Sequence, residues 1–123
     1  MTQEKKNLLL KDICARLPYG VNVLVSSAHG TDPIRKKLNT NLLFGLQKSV
    51  LTIKPYLRLM SNMTDDEEKE FALLQTDFYV DGILYPIAAI NMVNWLNSHH
   101  FDYCGLIEKG LALEAPDGMY KTE

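Results

Sequence analysis

The chain has 123 residues, a mass of 14.0 kDa and a net charge of −2, which leaves room for a single α+β-sized domain, residues 1–123, and little more. Apolar residues make up 46% and charged residues 23%, a balance that excludes a disordered or collagen-like chain. The longest apolar run, Pro86 to Leu96, falls short of the roughly 20 residues of a membrane span and is broken by Asn91 and Asn94.

A first helix is predicted over Gln3 to Arg16. Leu9, Leu10, Ile13, Cys14 and Leu17 fall on one side at helical spacing, and Lys5, Lys6, Lys11, Asp12 and Arg16 fall elsewhere. Pro18-Tyr19-Gly20 ends it. Val21 to Val25 is β-branched and reads as a strand, with a loop over Ser26 to Pro33. Leu38 to Leu46 and Ser49 to Ile53 are two further expected strands, and Pro55 is expected to stop pairing. Thr64 followed by Glu67 spells a capping box and a helix running to about Gln75. Its first turn carries Asp65, Asp66 and Glu67, where they oppose the positive end of the dipole.

Asp81-Gly82 between Phe78-Tyr79-Val80 and Ile83-Leu84-Tyr85 predicts a β-hairpin with a type I′ turn. Pro86 suits the first turn of a last helix. Ala88, Ala89, Ile90, Met92, Val93, Trp95 and Leu96 form its apolar face, and Asn91, Asn94, Asn97 and Ser98 its polar face. His99 and His100 close it, in the place where a cationic histidine is favoured. One helical turn stopped by Gly110, an extended Leu111 to Glu114 and a turn at Pro116-Asp117-Gly118 complete the chain. The expected fold is α+β: an antiparallel sheet of about three central strands plus a hairpin, packed with about three helices.

Charge is uneven along this fold. Residues 33–64 carry Arg35, Lys36, Lys37, Lys48, Lys54 and Arg58 and no acid, whereas residues 65–123 carry three basic and twelve acidic side chains. Either the two fields cancel by packing side by side, or the basic segment meets an anionic partner. With Phe44 and Tyr56 nearby, those six basic residues are the candidate nucleic-acid-binding set.

Other chemistries find little support. Cys14, His29, His99, His100 and Cys104 are soft ligands without metal spacing, so no metal or cofactor is expected. Cys104, His99 and Asp102 lie close enough in sequence for a thiol–imidazole–carboxylate arrangement, but no nucleophile motif surrounds them. Cys14, on the apolar face, is expected to be a buried, inert thiol. Phosphate-cradling glycine motifs are absent. Trp95, Phe101, Tyr103 and Tyr120 are expected to serve core and tail packing rather than a ligand cage. Two cysteines make no disulfide framework, and the N-terminal stretch has no signal-peptide pattern; a cytoplasmic setting with reduced thiols is the expectation.

Three stretches, Lys11 to Val21, Ile53 to Thr64 and the tail from Trp95 to Tyr120, carry a resemblance. In the tail, His99-His100-Phe101-Asp102-Tyr103 followed by Gly105 to Pro116 is its most specific part. Together they resemble a family of small proteins, without assigned activity, common in gut Bacteroides genomes and their prophages or other mobile elements. The chain departs at Leu59, where the family has proline, and at Cys104, where it has arginine. The resemblance implies a genomic setting and carries no site residues. The expected function is that of a non-catalytic accessory protein acting through contact with another protein or with its own copy. The alternative is a small nucleic-acid-binding module using residues 35–58.

Overall fold

The computed structural model describes residues 2–27, 30, 32–76, 79–80, 83–84 and 86–120. The fold is α+β. Helices α1 (Gln3–Arg16), α2 (Thr40–Gln47), α3 (Asp65–Thr76) and α4 (Pro86–Ser98) accompany strands β1 (Asn22–Ser27), β2 (Ile34–Lys37), β3 (Leu51–Leu57), β4 (Tyr79–Val80), β5 (Ile83–Leu84) and β6 (Leu113–Glu114). The main sheet has the order β2-β1-β3-β6, and β4 pairs with β5 as the expected hairpin. The Asp81-Gly82 turn lies outside the described residues.

The sheet differs from the expected one in three ways. Leu38 to Leu46 is helical from Thr40 onward: Asn39 accepts from the Leu42 N–H at 2.9 Å, an N-cap that opens α2 and outweighs the apolar run behind it. The strand lies just before it, at Ile34 to Lys37. Gly45 lets α2 approach β3, since a Cβ there would run into the Leu51 side chain. Pro55, expected to stop pairing, sits inside β3 opposite Val23. β6 joins β3 in parallel at Tyr56 and Leu57, so the sheet is mixed.

The hydrogen bonds explain how Pro55 is tolerated. The Leu38 N–H donates to the Val21 carbonyl at 2.9 Å. In an antiparallel ladder the backbone groups alternate sides, so Val21, Val23 and Val25 aim theirs at β2, and Asn22, Leu24 and Ser26 at β3. Across the sheet, Lys54 and Tyr56 then face β1, while Ile53, Pro55 and Leu57 face away. The Leu57 carbonyl indeed accepts from Ala115 N–H at 2.8 Å on the β6 side. Proline's missing N–H therefore points where β6 has not yet begun to pair.

One face of the sheet presents Val23, Val25, Ile53 and Leu57 to Leu9 and Ile13 of α1 and Leu42 and Leu46 of α2, which form the core. The outer face carries Arg35, Lys37 and Thr52, exposed, with Asn22, Leu24 and Lys54 half-buried. At the end of the Asn22 row, the Tyr120 hydroxyl accepts from the Asn22 N–H at 2.8 Å and donates to the Tyr56 carbonyl at 2.8 Å. It takes the place of a direct bond between β1 and β3.

α1 spans the expected residues, but its faces do not divide as the apolar spacing suggests. Asp12 and Arg16 are both fully buried and pair at 2.6 Å, whereas Cys14 is exposed. Charge neutralisation lets the pair enter the interior. α4 departs too. Asn97, placed on the polar face by the sequence, is buried and accepts from the Tyr103 hydroxyl at 2.8 Å. Ile87, Ile90 and Val93 face outward. The helix closes with His100 at φ +63, its N–H donating to Asn97 and that of Phe101 to Leu96. That C-cap usually takes glycine, and here histidine supplies the left-handed turn. No described helix is long and apolar enough to cross a membrane.

Candidate functional site

The six basic residues of segment 35–58 do not form one cluster. Arg35 and Lys37 project from the outer face of β2, and Lys54 stands in the Arg35–Leu24–Lys54 row across three strands. Lys36 lies on β2 facing the other way, exposed. Lys48 caps α2 beyond the strands, its ammonium 5.4 Å from the Phe44 ring centroid. Tyr56 is covered by Arg35, whose guanidinium lies 5.0 Å from the ring centroid, so it offers no free stacking face.

Arg58 leaves the basic set. Its guanidinium meets Glu67 in a two-pronged pair at 2.8 and 2.6 Å and lies 4.2 Å from the Phe101 ring centroid. Glu67 also completes the capping box, accepting from the Thr64 N–H at 3.0 Å while the Thr64 hydroxyl accepts from the Glu67 N–H at 3.2 Å. The Arg58 guanidinium holds the Glu67 carboxyl down at about 2, against an ordinary 4.5. Among the described residues this is the one ion pair between the basic middle and the acidic half. Among the described residues, side-by-side cancellation is built from no other close pair.

The arrangement of Cys104, His99 and Asp102 is not assembled. Burial, reinforced by the Asp12 carboxylate, pushes the Cys104 thiol up to about 11. Asp102 accepts from the Leu106 and Ile107 N–H groups at 2.9 and 3.0 Å, fixing the turn that follows. His99 stacks on Trp95 at 4.1 Å, with its Nδ1 2.9 Å from the Trp95 carbonyl. Phe71 and Phe101 extend that stack; Phe101 is buried, whereas Trp95, Tyr103 and Tyr120 are half-buried.

His100 stacks on Tyr120 at 3.8 Å, and its buried Nδ1 has no hydrogen-bond partner among the described residues. Burial, and then the charges of Arg16 and Arg58, lower it to about 4. A neutral imidazole thus stands where the sequence suggested a cation. Among the described residues no three His, Cys, Asp or Glu side chains converge for a metal; His29 lies outside them.

Against family models, curated proteins and solved structures, the chain finds no match. Function must be read from its own surface. The feature that sequence patterning misses is the outward stripe of α4, where Ile87, Ile90 and Val93 are 64%, 55% and 37% exposed. Ala89, Ile90, Val93 and Asn94 line a shallow cleft of about 270 Å³ along it. The width of the apolar face was the available signal, because so wide a face has more apolar surface than one core contact can bury.

Proposed function

We propose that this chain is a non-catalytic accessory protein that works by contact with a protein partner or a second copy of itself. The α4 stripe carries the reading. Three large aliphatic side chains at helical spacing are held out to solvent, and an apolar strip of that kind on a small domain marks a contact surface. The resemblance of the tail to proteins of mobile elements agrees with an accessory role. Sedimentation velocity over a concentration series tests self-association, and affinity capture from nuclease-treated lysate tests a foreign partner. The expected result is an association that Ile87→Glu and Ile90→Glu each abolish while the thermal melt is retained. Association unchanged in both variants overturns the reading.

A second reading rests on Arg35, Lys37 and Lys54, which share the outer face of the sheet without an acidic partner among the described residues. A nucleic-acid-binding face would show affinity for an oligonucleotide that falls steeply with salt, because phosphate contacts release counterions. Reversing Arg35, Lys36 and Lys37 to glutamate should abolish it. Absence of oligonucleotide binding at low salt removes this reading.

A further inference from the structure

The turn after β6 brings a reactive pair of residues to the surface. Pro116, Asp117 and Gly118 are exposed, and the Met119 N–H donates to the Pro116 carbonyl at 3.1 Å to close the turn. Gly118 stands at φ +81 and Asp117 is not left-handed, the pattern of a type II turn. The Gly118 N–H and the Asp117 carboxyl have no hydrogen-bond or ion-pair partner among the described residues. A Cβ on Gly118 would meet nothing within 4 Å, so the space beside it is open.

No other described aspartate combines these features. Asp12 is buried and paired with Arg16. Asp102 is buried and accepts from the Leu106 and Ile107 N–H groups. Asp65 and Asp66 lie in α3, each followed by a residue whose side chain crowds the next nitrogen. Asp32 precedes Pro33, whose nitrogen has no hydrogen to give up.

We propose that Asp117–Gly118 is a site of spontaneous backbone isomerisation. The Gly118 nitrogen bonds to Cγ of the Asp117 carboxyl in its acid form. The N–H proton and the carboxyl hydroxyl leave together as water, and a succinimide ring closes. Water then adds back. Breaking the bond from nitrogen to Cγ restores aspartate. Breaking the bond from nitrogen to the main-chain carbonyl carbon gives isoaspartate, whose main chain runs through Cβ and Cγ. No other reactant is consumed and the mass is unchanged. An exposed turn with glycine after the aspartate permits the excursion that ring closure needs.

The product has somewhere to act. The Ala115 N–H is held by the Leu57 carbonyl at 2.8 Å, and the Tyr120 hydroxyl is held by Asn22 and Tyr56. Isomerisation lengthens the chain between these anchors by a methylene, so its effect falls on the Tyr120 bonds. The site is independent of the α4 stripe and of any partner.

The test is peptide mapping of the full chain, aged for weeks at body temperature and mildly acid pH. Trypsin releases residues 110–121, in which Asp117 is the sole aspartate. The expected result is a second chromatographic peak of equal mass from this peptide. Electron-transfer fragmentation should assign it to isoaspartate, and isoaspartyl methyltransferase should label it from S-adenosylmethionine. Residues 59–69, which carry Asp65 and Asp66, should stay a single peak. Asp117→Glu should remove the second peak, because its side chain would have to close a larger ring. The isoaspartyl form, isolated from the aged protein, should melt below the fresh chain, while aged Asp117→Glu keeps its melt. An aged chain without the second peak overturns the proposal, as does equal conversion of residues 59–69 or a second peak that survives Asp117→Glu. An isoaspartyl form that melts with the fresh chain overturns the effect on Tyr120.

Discussion

Glu67→Gln probes the link between the basic middle of the chain and α3. The carboxylate makes contacts of 2.6 and 2.8 Å to Arg58 and 3.0 Å to the Thr64 N–H, and the residue is 5% exposed. Glutamine keeps the volume and a cap acceptor but leaves the Arg58 charge, 14% exposed, without its counterion. Breaking a buried pair from one side costs roughly 3–5 kcal/mol. Arg58 keeps the His99 carbonyl at 3.2 Å and the Phe101 ring, so the lower end, about 3 kcal/mol, is expected. For a chain this long, 1 kcal/mol moves the melting temperature by about 4 °C, so the loss is about 12 °C.

The pH dependence of that loss identifies its source. The folded-state pKa of Glu67 is lowered from 4.5 to about 2, so its contribution is fully present above pH 4.5 and is lost as pH falls through about 2. Urea unfolding of wild type and variant across this range is the assay. The gap between them should close as pH falls. A gap below about 1 kcal/mol, the size of an ordinary exposed pair, refutes the reasoning. So does a gap that stays constant with pH.

Three further outcomes follow from other side chains. Tyr120→Phe strips the hydroxyl shared by Asn22 and Tyr56 and should cost about 1–3 kcal/mol in urea unfolding; a neutral change would mean those backbone groups re-pair directly. In alkylation of the native protein, exposed Cys14 should react readily and half-buried Cys104 more slowly, the two becoming alike only after unfolding. Equal native rates contradict the shielding of Cys104. His100, lowered from 6.5 to about 4, favours the neutral folded form, so its share of stability is whole above pH 6.5 and lost as pH falls toward 4. His100→Phe should flatten the stability profile between those values, and an unchanged slope would place the acid sensitivity elsewhere.

What the sequence made legible is what local chemistry decides. The capping box at Thr64 and Glu67, Pro86 at the start of α4, the Gly110 stop and the hairpin pairing of β4 with β5 all depend on neighbours in the chain. The errors come where a distant partner overrides local preference. Asp12 and Arg16 enter the interior because they neutralise each other, which helical spacing alone scores as exposure. Pro55 joins a strand because its neighbour on one side starts a residue later. Leu38 to Leu46 is the exception: the Asn39 cap is local chemistry, and it prevails over an apolar run that reads as strand. For the candidate surfaces, composition located the basic residues. Only the fold separates Arg58, consumed by Glu67, from Arg35, Lys37 and Lys54 on the outer face.

The Tyr120 hydroxyl also has a kinetic meaning. Its bond from Asn22 joins residues 98 apart in sequence and its bond to Tyr56 residues 64 apart. Contacts across such long loops carry the largest closure entropy and are made after the local helices and hairpins. An interaction absent from the folding transition state governs the escape rate rather than the arrival rate. The hydroxyl is then a latch: without it, the chain should reach its native state as quickly as before and leave it sooner.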